Sequence, residues 1–309
     1  MSSLQPLVSI GLPVYNGEKY LKQSIDSLLA QTYKNIELII CDNASSDRTP
    51  EICLEYAKFD GRIRYQRNQT NIGGANNHNL TFELAQGKYF RWASYDDLCA
   101  PDLIEKCVNI LEKNPSIVIC YSNVVSIDEK GNQLEVTSRN NGSSSKSFER
   151  FSAIASSRDY CEETYGVIRA NIFGKTQLQQ NYTGSDRTLM CELSLYGQFY
   201  DIQEPLFFKR FHQGNIYQDW RTRMAWFDPN INGKIVFPFW RQFIDYLRTI
   251  RRVPISKYEK FRCYLYIMGK WLLLINSLKM IKDLLYAIYM LMHSRKWRKK
   301  KYADTINWT

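Results

Sequence analysis

The chain has 309 residues, of which 44% are hydrophobic and 14% aromatic, so it has the composition of a globular protein with a sizeable core. Its eight cysteines form no CxxC pair and it has only three histidines, which argues against a zinc site rich in either residue. The net charge of +10 is uneven, because residues 1–240 carry 25 basic and 27 acidic residues, whereas residues 241–309 carry 16 and 4. A nearly neutral body is therefore followed by a strongly basic C-terminal part.

Strands and helices are predicted to alternate in the N-terminal part of the chain. Strands are predicted at 7–13, 36–41 and 63–66, and the continuous apolar run at 36–41 is typical of a parallel sheet. A helix between the first two strands is indicated by apolar residues at i, i+4, i+7 and i+8, which are Leu21, Ile25, Leu28 and Leu29. A second helix is predicted with Thr49 as its N-cap and Pro50 in its first position. This order is that of βαβ units.

The same alternation continues to about residue 122. A polar stretch at 71–79 is expected to precede a short helix that ends near Gly87. A buried strand is predicted at 89–97, then a helix at about 101–114 and a strand at 117–122.

Residues 123–239 have a less regular pattern. Short strands are predicted at 165–169, 199–202 and 206–212, and a helix is predicted to begin at 184–187.

The C-terminal part is predicted to be helical from Trp240 to about Met292, with large apolar side chains every three or four residues. No membrane-spanning helix is predicted, because charged residues interrupt the segment and uncharged runs such as 271–278 are far shorter than the ~18 apolar residues that such a helix needs. The basic cluster at 295–301 favours attachment to an anionic membrane surface, at about 1 kcal/mol per basic residue. A helical pair packed on the body is the alternative, and a nucleic-acid partner is not expected.

Two adjacent carboxylates, Asp96 and Asp97, are predicted at the carboxyl end of the strand at 89–97. Ligands of open α/β sheets bind at this edge. The two negative charges repel each other, and Mg²⁺ or Mn²⁺, which prefers oxygen ligands and substrate phosphates, would neutralise them. From these residues alone, a surface turn that contains two aspartates is the alternative.

Four motifs are considered together: 8–17 (VSIGLPVYNG), 27–33 (SLLAQTY), 42–47 (DNASSD) and 95–97 (YDD). In combination they resemble the family 2 glycosyltransferases of the GT-A fold, and the resemblance covers about residues 6–215. It implies an α/β fold in which a Rossmann-like, mostly parallel central sheet is flanked by helices, followed here by a basic helical extension.

The resemblance also suggests a division of the chain. Residues 1–239 would form the GT-A domain, with a nucleotide-binding half at about 6–122 and an acceptor half at about 123–239. Residues 240–309 would form an amphipathic, basic helical tail.

The resemblance implies a nucleotide-sugar donor at the ends of the first two strands, bound by Pro13, Val14, Tyr15, Asn16, Asp42 and Asn43. Tyr15 would pack on the base, and Asp42 with Asn43 would contact the uracil or the ribose. Many relatives have two aspartates in place of this last pair, and an asparagine can both accept and donate a hydrogen bond. A further stretch matches one that lies near the diphosphate in the family, and it includes Asn71, Gly74 and His78.

The resemblance implies a divalent cation, Mg²⁺ or Mn²⁺, with Asp97, Asp96 and His212 as its residues. Asp97 would bind the cation directly, and Asp96 would contact the ribose or a metal-bound water. Arg210 and His212 resemble an element that closes over the diphosphate or the metal. Asp186 matches the family's catalytic base, for which a role as helix N-cap is the alternative.

The predicted function is inverting transfer of a sugar from a nucleotide diphosphate sugar, expected to be UDP-linked, to a glycan or lipid-linked acceptor in surface polysaccharide synthesis. A dinucleotide-dependent oxidoreductase is disfavoured because no GxGxxG follows the first strand. A non-catalytic protein that binds nucleotides or glycans on the same fold is the remaining alternative. The chain enters a strand after six residues, so no signal peptide is expected, and the predicted location is cytoplasmic, on the inner face of the membrane.

Overall fold

The computed structural model describes residues 5–138, 142–157, 161–212, 220–231, 234–273 and 275–297. The strands in this part of the chain are β1 (Val8–Val14), β2 (Ile36–Asp42), β3 (Ile63–Arg67), β4 (Tyr89–Trp92), β5 (Leu98–Cys99), β6 (Ile117–Ile127), β7 (Gln133–Thr137), β8 (Val167–Arg169) and β9 (Gln198–Arg210). The helices are α1 (Leu21–Leu29), α2 (Thr49–Phe59), α3 (Gly74–Glu83), α4 (Leu103–Lys113), α5 (Ser147–Ser156), α6 (Ala170–Phe173), α7 (Ser185–Tyr196), α8 (Trp220–Phe227), α9 (Pro238–Arg252), α10 (Lys257–Leu272) and α11 (Ile275–Trp297). Short 3-10 helices lie at Glu162–Tyr165 and Pro229–Ile231.

These strands form one sheet in the order β3-β2-β1-β4-β8-β6-β9-β5, with β7 paired to β6. The predicted parallel arrangement of the N-terminal strands is confirmed, since β3, β2, β1 and β4 all run in the same direction. β1 and β2 are buried along their whole length, as expected for strands with helices on both faces. They end side by side, with Val14 opposite Asp42, so the loops that follow them are neighbours.

Beyond β4 the sheet is mixed: β8 is antiparallel to β4 and β6, β9 is parallel to β6, and β5 is antiparallel to β9. The strand predicted at 89–97 is therefore interrupted. β4 ends at Trp92, and Leu98 pairs with Phe208 of β9. The chain crosses between two positions in the sheet over residues 93–97, and Asp96 and Asp97 lie in this crossover rather than at a strand end.

Three other element boundaries differ from the sequence prediction. α3 begins at Gly74, inside the polar stretch expected to be a loop. β9 is one strand where two were predicted, because Pro205 sits at an irregularity in the pairing with β6, where the loss of a backbone donor is tolerated. Thr49 is the first residue of α2 rather than its N-cap, and its hydroxyl accepts a hydrogen bond from the Gly17 N–H at 2.8 Å.

The C-terminal helices share a hydrophobic core with the body of the protein. α9 packs on α7, and α10 packs on α5. Their buried side chains, which include Phe243, Tyr246, Ile250, Cys263, Ile267 and Trp271, belong to the same cluster as Phe151 of α5 and Leu189 of α7. The division at residue 239 remains a prediction, but α9 and α10 are packed as part of the body. The side chains of the basic cluster at 295–301 lie outside the described residues. Among the described helices, none combines the length and the apolar character that crossing a bilayer requires.

Candidate active site

The loops after β1 and β2 are joined by a small hydrogen-bond network around Asn16. Its backbone N–H donates to Ser45 Oγ at 2.9 Å, and its side-chain Oδ1 accepts from the Ser46 N–H at 2.8 Å. Asn16 has φ of +51°, in the left-handed region that asparagine tolerates better than most residues. Pro13 and Val14 are buried in β1, so Tyr15 and Asn16, which are both half-buried, are the residues of this stretch that a ligand can reach.

Asp42 and Asn43 are both buried, and their side chains hold neighbouring loops in place. The Asp42 carboxylate accepts hydrogen bonds from the Ser45 N–H and the Tyr65 hydroxyl, each at 2.8 Å, and its Oδ2 lies 3.3 Å from Nε of Arg67. A direct contact of Asp42 with a nucleotide remains a prediction.

The amide of Asn43 explains why this chain differs from relatives with two aspartates. Its Nδ2 donates to Asn71 Oδ1 at 2.8 Å, while its Oδ1 accepts from the Ile72 N–H at 2.9 Å and from Asn68 Nδ2 at 3.2 Å. A carboxylate could accept these bonds but could not donate one to Asn71. Asn43 and Asn71 together therefore fix the chain that leads into α3.

The predicted diphosphate stretch is covered by α8. A Cβ atom on Gly74 would lie 2.6 Å from the ring of Trp226, so only glycine fits there while the indole keeps its position. His78 lies at 2.8 Å from the Gly74 carbonyl through Nδ1, and burial lowers its pKa to about 4. The ring is therefore neutral near pH 7, with its proton on Nδ1, and Nε2 can only accept a hydrogen bond. Contact of His78 with a phosphate remains a prediction and requires protonation of Nε2.

Asp96 and Asp97 lie side by side, and each is 7% exposed. Asp96 accepts a hydrogen bond from the Ser94 hydroxyl through Oδ1 and from Nε2 of His212 through Oδ2, the latter at 2.9 Å. Asp97 Oδ1 accepts from the backbone N–H of Arg210 at 2.8 Å. Burial, and then the charge of Asp96, raise the pKa of Asp97 well above its ordinary value. The structure thus places His212 against Asp96 and the backbone of Arg210 against Asp97.

Arg210 positions this pair from inside the protein. Its side chain is 1% exposed, with Nε donating to the Asp96 carbonyl at 2.9 Å and Nη2 to Gln23 Oε1 at 2.9 Å. Its Nη1 donates to the backbone carbonyls of Asp128 and Glu129 at 3.2 and 3.1 Å. Since these contacts occupy the guanidinium, Arg210 is a positioning residue in this structure.

Asp186 lies in the first turn of α7, half-buried, and its Oδ1 accepts from the Arg187 N–H at 2.8 Å. Gly184 occupies the N-cap position with φ of +92°, so the alternative reading of Asp186 as the N-cap is wrong. Burial raises the pKa of the Asp186 carboxyl, and the charge of Glu162 raises it further. A carboxylate with a raised pKa is a stronger base than an ordinary aspartate.

Tyr165 connects the two sets of carboxylates. Burial raises its pKa well above the ordinary value, and the charges of Asp97, Asp96, Glu162 and Asp186 raise it further, in that order. The Glu162–Tyr165 turn that carries this phenol packs against α7, the helix of Asp186, so both sets of carboxylates lie near the turn. Glu162 is paired with Nζ of Lys209 at 2.9 Å. Sequence analysis did not identify Glu162, Tyr165 or Lys209 as site residues, because only the packing of the Glu162–Tyr165 turn against β9 brings them here.

Comparison with known proteins identifies a family for this chain. Residues 9–176, more than half of the chain, match the family model described as glycosyl transferase family 2. The chain belongs to glycosyl transferase family 2. The matched residues include Asp42, Asp96 and Asp97, whereas Asp186 and His212 lie beyond them.

Relatives with similar sequences are named as glycosyltransferases. This family 2 glycosyltransferase is 42% identical over 134 residues to an uncharacterised glycosyltransferase of Rickettsia typhi, in an alignment covering 43% of this chain and 41% of that one. It is 40% identical over 131 residues to an uncharacterised glycosyltransferase of Haemophilus influenzae, covering 42% and 52%. The aligned part is thus about half or less of the length of each relative.

Solved structures confirm the predicted GT-A fold of this family 2 glycosyltransferase. Residues 1–349 of Staphylococcus aureus TarS in complex with UDP superpose with a TM-score of 0.63 and 13% identity, covering 87% of this chain and 73% of that one. The mannosyltransferase PcManGT of Pyrobaculum calidifontis, in complex with GDP-Man and Mn²⁺, gives 0.59 and 15%, covering 97% and 82%. At these identities the likeness concerns the fold.

The residues of this family 2 glycosyltransferase fit a hard divalent cation. In the part of the chain that the structure describes, no three His, Cys, Asp or Glu side chains converge closely enough to hold a metal ion on their own. Mg²⁺ sites commonly use one or two carboxylates and complete their coordination with water and substrate phosphates. Asp96 and Asp97 supply such a pair, and a cation would offset the charge of two adjacent buried carboxylates.

Proposed function

We propose that this chain transfers a sugar, with inversion, from a UDP-linked donor to a glycan or lipid-linked acceptor, by metal-assisted direct displacement. The observation that supports the proposal is the position of the Glu162–Tyr165 turn: it packs against α7, which carries Asp186, and its Glu162 pairs with Lys209, next to the Arg210 N–H that donates to Asp97. Sugar transfer needs charge stabilisation on the leaving diphosphate and a base for the acceptor hydroxyl, and Asp97 and Asp186 would serve these two needs.

On the donor side, Tyr15 and Asn16 are the accessible residues at the end of β1, and Asp96 and Asp97 lie on the neighbouring crossover. Asp97 would hold Mg²⁺ or Mn²⁺, with Asp96 on the ribose or a metal-bound water and His212 beside Asp96. When bound, the cation supplies Lewis-acid stabilisation of the leaving diphosphate. His212 and Arg210 keep the two carboxylates in place through Asp96 Oδ2 and Asp97 Oδ1.

On the acceptor side, Asp186 would take the proton of the acceptor hydroxyl as that oxygen attacks the anomeric carbon. Burial and Glu162 both keep the pKa of Asp186 above the usual aspartate value, so its carboxylate is a stronger base than that of an ordinary aspartate. Direct attack opposite to the leaving diphosphate inverts the anomeric centre, which is the stereochemistry implied by a single base.

The function is tested first by nucleotide binding. We expect calorimetry to show UDP binding at least ~10-fold more tightly with Mn²⁺ or Mg²⁺ than with a chelator, because Asp97 would hold the cation and the cation would supply positive charge for the diphosphate. Equal affinity in both conditions would contradict the metal site. A panel of nucleotide sugars, with released nucleotide diphosphate as the readout, then identifies the donor. UDP binding without release from any donor and acceptor would instead indicate the non-catalytic alternative.

The proposed location is the inner face of a membrane, where surface polysaccharides are built. The observation that supports it is a pair of exposed apolar stripes. On α10 the stripe consists of Tyr258, Phe261, Leu265, Met268 and Leu272, and on α11 of Leu278, Ile281, Leu285, Ile288 and Met292. Both have the spacing i, i+3, i+7, i+10, i+14, which places five side chains on one face of a helix. An exposed patch of this size is typical of an interaction surface.

The charges beside the stripes favour an anionic lipid surface over a second copy of the chain. The exposed charged residues described on α10 and α11 are basic, and they include Lys257, Lys279 and Lys282. The acids Glu259 and Asp283 are turned towards the body, where they accept the backbone N–H groups of Phe148 and Phe239. Two such faces would repel each other, whereas anionic headgroups attract them.

Vesicle sedimentation tests this attachment. We expect the double variant Phe261→Glu with Leu285→Glu, one change in each stripe, to bind vesicles containing phosphatidylglycerol at least ~10-fold more weakly than the unaltered chain. Phe59→Glu, at an 80% exposed phenylalanine on α2, is the matched control and should bind normally. Unchanged sedimentation of the double variant would contradict the proposal. Truncation before Trp240 is unsuitable, because it would remove core residues of α9 and α10.

A further inference from the structure

A cleft of about 670 Å³ lies where α9 meets the preceding segment, α8 and α11. Its walls are mainly apolar and include Val236, Trp240, Ile244 and Leu284. Two cationic side chains, Arg241 and Arg248, line it as well. The volume lies within the range of about 300–1,000 Å³ that is typical of small-molecule sites.

The electrostatics of this cleft favour an anionic group. Arg241 is exposed, with its guanidinium 5.6 Å from the centre of the Tyr182 ring, and the side chain of Arg248 is 69% exposed. Asp245 is the acid beside them; it is buried and already lies 3.1 Å from Nη1 of Arg248. None of the residues described as lining the cleft is acidic. Two guanidinium groups over apolar walls suit a ligand with an apolar body and an anionic head, and arginine binds phosphate with particular geometric fit.

The position of the cleft connects the proposed membrane face with the start of α7. Its inner wall includes Tyr182, whose hydroxyl lies 3.3 Å from Thr188 Oγ1 in α7. Gln242, next to Arg241, donates through Nε2 to the carbonyl of Gly184 at 3.0 Å, two residues before Asp186. Its outer rim includes Leu284, which is 43% exposed and adjoins the α11 stripe at Leu285.

We propose that this cleft binds a long-chain lipid monophosphate from the membrane as the acceptor, with its hydrocarbon chain on the apolar wall and its phosphate on Arg241 and Arg248. The proposal rests on the proposed function and names its acceptor class. In the transfer, an oxygen of the lipid phosphate would form the new bond to the anomeric carbon while the bond from that carbon to the nucleotide diphosphate breaks, and Asp186 would take the proton that this phosphate oxygen carries in the monoanion. The hydrocarbon chain enters from the bilayer face, and the phosphate lies at the end of the cleft that leads to α7. A purely apolar ligand would leave both arginines without a counter-charge, and a free phosphate would leave the apolar wall exposed.

Binding of defined probes to the full chain tests the proposal. By calorimetry below its critical micelle concentration, farnesyl monophosphate is expected to bind at least ~10-fold more tightly than farnesol, while inorganic phosphate shows no binding. Equal affinity for farnesol, or binding of inorganic phosphate as tight as that of farnesyl monophosphate, would overturn it. UDP titrated into the same samples reports on the donor site, so failure of the cleft is distinguishable from failure of the proposed function.

Variants locate the binding site. Arg241→Gln with Arg248→Gln should weaken farnesyl monophosphate binding at least ~10-fold, since two charge-assisted contacts are lost. Ile244→Trp, which keeps both arginines but fills the cleft, should weaken it to a similar extent. Arg251→Gln, at an exposed arginine of the same helix that does not line the cleft, is the control. Unaltered binding in both test variants, with UDP binding intact, would place the lipid elsewhere and refute the site.

Discussion

Asp186→Asn is expected to reduce sugar transfer by about 10²–10⁴-fold, the usual value of general-base assistance, while UDP affinity stays within about twofold. Asparagine keeps an oxygen that can accept the Arg187 N–H, so the first turn of α7 should retain its geometry. It cannot take a proton from the acceptor hydroxyl at neutral pH. Initial rates of nucleotide release, measured with calorimetry of UDP on the same protein, separate the chemical step from donor binding.

Two further measurements sharpen this result. Glu51→Gln, at another acidic residue in the first turn of a helix, is the matched control and should transfer sugar normally. In the unaltered enzyme the acidic limb of the rate profile should lie above the pH expected of an ordinary aspartate, because burial and Glu162 raise the pKa of Asp186. The rate rises with pH through this limb as the carboxyl loses its proton. Near-normal turnover of Asp186→Asn would remove Asp186 from the mechanism.

Asp97→Asn is expected to abolish the effect of Mn²⁺ on UDP affinity and to lower transfer by about 10³-fold, since Lewis-acid stabilisation is worth several kcal/mol. The amide oxygen can still accept the Arg210 N–H, and a buried negative charge beside Asp96 is removed. The thermal midpoint of the metal-free protein should therefore not fall. This combination distinguishes loss of a metal ligand from loss of structure.

A structural role for Asp97 would give the opposite pattern. Unfolding at a clearly lower temperature, together with a preserved Mn²⁺ effect on the remaining UDP binding, would contradict its assignment as a ligand. Asp102→Asn, at a nearby exposed acid that pairs with Lys106, provides the control, and it should leave the Mn²⁺ effect unchanged.

The parallel half of the fold could be predicted because β1 and β2 are mainly apolar and buried, and because the helices between its strands carry regular apolar spacing. The break after Trp92 could not, because the residues up to Ala93 suit a strand, and the crossover depends on the pairing of Leu98 with Phe208 of β9. Around Pro205 the error was the reverse. Two strands were predicted there, whereas β9 is one continuous strand whose pairing with β6 is irregular at this residue. Local sequence does not record which distant strand will be the partner.

Only part of the candidate site could be predicted, because some of its residues come together through tertiary packing alone. Asp96, Asp97, His212 and Asp186 were identified from motifs; the structure places His212 against Asp96, and it places Asp186 in a helix that packs on the Glu162–Tyr165 turn. Glu162 and Tyr165 have no motif, and their place depends on how a short turn packs against β9. The neutral state of His78 also depends on tertiary packing, because the rings of Trp92 and Trp226 bury its imidazole.

The contact between Gly74 and Trp226 limits how this protein can be varied. A side chain larger than glycine at position 74 collides with the indole at 2.6 Å, so it requires a smaller residue at position 226 or a displaced α8. In a combinatorial library, functional clones should therefore show correlated changes at these two positions. A variant designed to widen the predicted diphosphate stretch should therefore replace Trp226 first and keep Gly74.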